Sequence, residues 1–107
     1  MKLKSEPFEK VKNGTKVIEM RLNDEKRQLL HVGDQIEFSL IDDPAQKLLT
    51  EVVDLTRFSS FKELYAAYVP QEYGSASKDE YEHMYKYYPK EEEEKYGVLG
   101  IKIRLLG

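Results

Sequence analysis

The sequence predicts an α+β fold: a small β-barrel of five to six mostly antiparallel strands with two or three peripheral helices. Three observations carry this. Stretches of alternating apolar and polar residues recur along the 107-residue chain. Two stretches with helical spacing separate the third strand from the last. No regular strand–helix–strand repeat appears, which argues against a doubly wound parallel sheet.

The elements follow in order. Ser5 to Gly14 reads as a short helix, with Ser5 as N-cap, Pro7 in the first turn, and Asn13-Gly14 as its stop. A strand over Lys16 to Leu22 comes next, with Ile18, Met20 and Leu22 on one side and Val17, Glu19 and Arg21 on the other. Asn23 to Gln28 suits one helical turn capped by Asn23 or Asp24. A second strand covers Asp34 to Leu40, a hairpin-like loop Asp42 to Gln46, and a third strand Leu48 to Thr56, reaching toward Phe58. Ser59 or Ser60 caps a helix through Phe61, Leu64, Tyr65 and Tyr68, which ends before Pro70. Gln71 to Ser77 reads as an irregular loop. Ser77 opens another helix with Tyr81, Met84, Tyr85 and Tyr88 on one stripe. Glu91 to Glu94 reads as a solvated charge run, and Val98 to Leu105 as the last strand.

Composition narrows the functions. The length suits one domain over residues 1–107. Seventeen Lys and Arg against twenty Asp and Glu give a net charge of −3. This speaks against gripping duplex DNA through an overall field, while leaving room for a local basic pocket. The chain has no cysteine, so disulfides, thiolate metal sites and cysteine nucleophiles are excluded. His31 and His83 are 52 positions apart and form no local zinc motif. No metal or other cofactor is expected. No apolar run is long enough for a membrane helix, and the first residues do not resemble a signal peptide, so the expected location is cytoplasmic.

The most informative segment is Gly14-Thr15-Lys16-Val17-Ile18-Glu19-Met20-Arg21, which reads G-x-K-x-x-E-x-R. Two cations and a carboxylate within six residues suit a phosphate and a base edge together. Arg21 supplies a planar fork and Lys16 a compact charge. Glu19 either holds Lys16 or accepts from a base amino group. The alternative is a solvated strand face with cross-strand ion pairs. Strict alternation places Lys16 on the face opposite Glu19 and Arg21, so a shared pocket requires a twist or bulge at the strand start. Gly14 serves as a helix stop or lets a ligand approach the backbone. Tyr73, beside Gly74, is the expected stacking aromatic, and Arg57 is expected at the cleft rim.

This motif, the short helix before it, and the Gly33-Asp34 entry to the next strand resemble the ASCH family (activating signal cointegrator homology), a branch of the PUA-like superfold. The resemblance covers nearly the whole chain. It implies a barrel with a cleft walled by the motif residues, and RNA, a nucleotide or a nucleoside as partner. The expected ligand-binding residues are Gly14, Lys16, Glu19, Arg21, Arg57 and Tyr73. Some bacterial members of the family resemble amidohydrolases that deacetylate acetylcytidine with a lysine, a threonine and a glutamate. On that alternative, Lys16, Glu19 and Glu72 are the catalytic candidates. Glu19 then stands where those relatives carry the threonine, which weakens the hydrolytic reading.

Overall fold

The computed structural model describes residues 1–106. Five strands form one curled, mixed sheet in the order β1-β3-β4-β5-β2, a half-barrel dressed by four helices. The strands are β1 (Lys2–Leu3), β2 (Ile18–Leu22), β3 (Gln35–Leu40), β4 (Asp43–Phe58) and β5 (Val98–Leu105). The helices are α1 (Ser5–Lys12), α2 (Phe61–Ala67), α3 (Pro70–Tyr73) and α4 (Lys90–Tyr96). Tighter 3-10 segments cover Arg27–Leu29 and Lys78–Lys86. All strand pairs are antiparallel except β1 with β3. Two edges, β1 and β2, remain, so the barrel is open rather than closed.

The sixteen-residue β4 produces the curl. It pairs with β3 through its first part and with β5 through the rest. Between Val52 and Asp54 its register against β5 slips by one residue at Val53. Such a bulge bends a strand and increases its twist, which rolls the sheet. The expected loop at Asp42 to Gln46 is largely strand with an outpouching. Ser39 faces Lys47 while Leu40 faces Asp43, because Pro44 has no N–H to place in the ladder.

The sheet buries a core on each side. Inside the curl, Phe8 and Val11 of α1 pack on Ile36, Phe38, Val52, Leu99 and Ile101. Outside, Ile18, Met20 and Leu22 of β2 meet Phe61, Leu64, Tyr65, Tyr73 and Val98. Strand β2 is therefore covered on both faces, and its polar residues lie in a dry place rather than on a solvated surface.

Helix ends follow local chemistry, with some departures from expectation. Helix α1 starts at Ser5 itself, after Lys4 in extended backbone, so Ser5 is not the cap. Gly14 adopts φ +83°, and the Gly14 N–H donates to the Val11 carbonyl, which stops α1 as expected. Ser60 caps α2 by accepting from the Glu63 N–H, while Glu63 accepts from the Ser59 N–H.

Three segments depart from the sequence expectation. The loop after Pro70 contains the single turn α3, stopped by Gly74. Lys78–Lys86 winds as a 3-10 helix, capped by Ser77, whose hydroxyl accepts from the Asp79 N–H. The acidic run is helix α4, and its Glu93 is buried. The Glu93 carboxylate accepts from the Phe61 N–H at 2.9 Å, an otherwise unpaired donor at the start of α2, and from the Tyr85 hydroxyl.

Candidate functional site

Strand β2 begins only at Ile18, so Lys16 lies outside the alternating pattern. The Lys16 N–H donates to the Lys10 carbonyl and the Val17 N–H to the Glu72 carbonyl. This docking to α1 and α3 turns the Lys16 side chain under the sheet. Its Nζ donates to the Tyr73 carbonyl at 3.1 Å and stands 3.5 Å from Glu19 Oε1. Glu19 and Arg21 pair across β2–β5 with Ile101 and Leu99, so they face the concave side with those core residues. Arg21 Nη2 donates to Glu19 Oε2 at 3.2 Å and to the Lys2 carbonyl at 3.2 Å. Arg21 thus bridges the two free edges of the half-barrel, β2 and β1.

Glu19 is the hub. It is only 4% exposed, as is Lys16. Its Oε1 also accepts from the Met20 N–H at 3.0 Å. Burial pushes its carboxyl pKa up, but Lys16, Arg21 and the backbone hydrogen bond outweigh burial and hold it below the ordinary value. Arg21 shows the counterpart. Burial works against its charge, and Glu19 together with Tyr88 reverses this, so its pKa is raised. Both oxygens of Glu19 are occupied, whereas Arg21 Nε is buried with no hydrogen-bond partner. A buried donor without an acceptor is costly unless something supplies one.

Arg21 itself lines a cavity of about 630 Å³ between β2, the β1–α1 segment and the tyrosine-rich 3-10 helix. Lys16, Glu19, Arg21 and Tyr73 all line it. Lys2, Lys4, Lys16 and Arg21 contribute four cations, against Glu6 and Glu19. A basic pocket therefore sits on an acidic chain.

Three expected residues lie elsewhere, and one has a different part. Gly14 borders a separate hollow beside Val17 and Lys102, and its positive φ serves the end of α1. Glu72 Oε1 accepts from the Val69 N–H, which holds the side chain at the N-terminus of α3 and outside the cavity. Arg57 is separated from Arg21 by the β5 residue Leu99 and lines a different cavity. Tyr73 is 1% exposed, with its ring 4.3 Å from that of Tyr65 and its hydroxyl donating to the Tyr65 carbonyl. It forms the cavity floor and cannot act as an open stacking platform.

The exposed aromatic at this cavity is Tyr87, whose hydroxyl accepts from Lys4 Nζ at 2.7 Å. Sequence reasoning passed over it. Its one signal was that it falls off the Tyr81, Tyr85, Tyr88 stripe and so points away from the packed face. Tyr88 also lines the cavity, but its ring stacks on Phe61 with centroids 5.5 Å apart.

A curled α+β sheet with a motif-lined cavity defines a PUA-like half-barrel. The chain belongs to the ASCH domain family, which it matches over residues 1–107. Two solved structures share the fold. The crystal structure of hypothetical protein PH0355 is 32% identical, with 99% of this chain and 100% of that chain covered and a TM-score of 0.81. The solution NMR structure of protein PF0455 from Pyrococcus furiosus is 31% identical, with 99% and 98% covered and a TM-score of 0.68. Among curated proteins nothing matches. Among the described residues no helix is long and apolar enough to cross a membrane.

Proposed function

We propose that the chain binds a phosphate-bearing nucleotide or the end of a single-stranded RNA in the Lys16–Glu19–Arg21 cavity. The observation that carries this reading is the Lys16–Glu19–Arg21 cluster at a pocket where four cations outnumber two carboxylates. Glu19 orients both cations, the Arg21 guanidinium offers its planar fork to a phosphate oxygen, and Tyr87 at the rim offers a face to a base. The cavity volume lies in the range of ligand sites, roughly 300–1,000 Å³.

Geometry favours binding over amide hydrolysis. Glu19 already accepts from a backbone N–H, Lys16 and Arg21, and Glu72 is held away by the Val69 N–H. Neither carboxylate is free to act as a general base beside Lys16. Calorimetric titration with nucleoside 5′-monophosphates and with short single-stranded RNA tests the proposal. Binding that weakens with added salt is expected. Conversion of acetylcytidine to cytidine by the wild type, lost in Lys16→Ala, would establish the hydrolytic alternative instead.

A further inference from the structure

A second cavity, of about 420 Å³, opens where the loop after β2 crosses the far ends of β4 and β5. Its apolar wall is Leu30, Leu55 and Leu99, and its polar wall includes Asn23, Arg27 and Arg57. Two polar atoms there are buried without partners. Asn23 is 9% exposed, and its Oδ1 accepts no hydrogen bond. Arg27 Nε donates to nothing. Both backbones are well anchored: the Asn23 N–H donates to the Gly97 carbonyl, and the Arg27 N–H to Asp24 Oδ1. Both residues are thus held at the cavity wall, each with one buried polar atom that meets no partner.

The strand register connects this cavity to the first. Arg21 faces Leu99, and Leu99 faces Arg57, so the three share one row and one face of the sheet. Arg21 and Arg57 lie two strand spacings apart, about 10 Å. Cations converge on the same end of the half-barrel. Burial, and after it Arg21, Lys26 and Arg27, hold the Met1 ammonium below its ordinary value. The only ion-pair partner of Arg27 among the described residues is Asp24, at 3.5 Å.

We infer that this second cavity holds a further nucleotide unit of the same single strand, with phosphate on Arg27 and Arg57 and a base or ribose beside Asn23. The inference rests on the reading of the first cavity. It adds that the ligand is an oligonucleotide rather than a lone nucleotide. The apolar wall suits the face of a base, and the two arginines beside it suit its phosphate.

Amide chemical-shift mapping on the 15N-labelled chain separates the two claims. The probes are an equimolar mixture of the four ribonucleoside 5′-monophosphates and a random-sequence RNA tetramer. The tetramer is expected to shift amides at Asn23, Arg27 and Arg57 as well as those at Glu19, Arg21 and Gly74. Arg57→Ala, on an exposed side chain, is expected to weaken tetramer binding about tenfold, the loss of one charge-assisted contact. Shifts confined to Glu19, Arg21 and Gly74 with both probes, or an unchanged tetramer affinity in Arg57→Ala, would overturn the second site and leave the first standing. No shift at either cavity would overturn both.

Discussion

Two buried glutamates, Glu19 and Glu93, make an informative comparison. Glu93 lies between α4, α2 and the tyrosine-rich segment, and it accepts from the Phe61 N–H and the Tyr85 hydroxyl. Burial, then the hydrogen bond to Glu93, pushes the Tyr85 hydroxyl pKa up to about 12. Every group there is satisfied within the protein, and Glu93 lines none of the three cavities. Glu19 is buried too, but it gathers two cations at a cavity, and one of them, Arg21, keeps an unmet donor. A buried carboxylate alone therefore does not mark a site. What remains unsatisfied around it does.

The largest expected effect is at Glu19. Glu19→Ala strands Lys16 and Arg21 in a buried place, and chemical denaturation should show a loss of about 3–5 kcal/mol. A loss under about 1 kcal/mol would mean that the two cations find solvent, and the hub description would fail. The same carboxylate sets a pH dependence. Its folded-state pKa lies below the ordinary value, so its contribution is complete above the ordinary carboxylate range and is lost as pH falls through the folded value. Denaturation midpoints measured down the acid limb should fall less steeply in Glu19→Gln than in the wild type.

Arg21→Lys keeps the charge beside Glu19 and removes the planar fork. Nucleotide affinity should drop by about 1.5–3 kcal/mol with a smaller change in stability. Glu93→Ala should do the reverse. It removes the partner of the first α2 N–H and of Tyr85, so stability should fall by about 1–3 kcal/mol while nucleotide affinity of the folded protein stays the same. If Glu93→Ala weakened binding as much as Arg21→Lys, the contrast between the two regions would collapse.

The smallest effect concerns Gly74, which stops α3 at φ +85° directly above Lys16. A Cβ there would lie 3.2 Å from Lys16 Cδ. Gly74→Ala should cost about 1–2 kcal/mol from the left-handed backbone alone. It should also press on Lys16, which a weaker nucleotide titration would report.

The strands were legible in the sequence because alternation is a local signal. Four of the five were placed within a few residues, and β1 was missed because two residues carry no period. Helix α4 was hidden because its acidic run has no apolar stripe, and its one buried member, Glu93, is held by hydrogen bonds rather than by packing. The motif residues Lys16, Glu19 and Arg21 were legible as a group. The inward turn of Lys16 was not, because it depends on backbone hydrogen bonds to Lys10 and Glu72, far from the strand pattern. Arg57 and Glu72 were misplaced for a related reason: chain position near a cleft does not say which side of Leu99, or which end of α3, a side chain serves.

The most direct test is a crystal structure of the chain with a nucleoside 5′-monophosphate. The phosphate should lie in the Lys16–Glu19–Arg21 cavity with an oxygen within about 3 Å of an Arg21 guanidinium nitrogen, and Glu19 should keep its bonds to both cations. A nucleotide bound elsewhere, or bound in the cavity without a contact to the Arg21 guanidinium, would contradict the account.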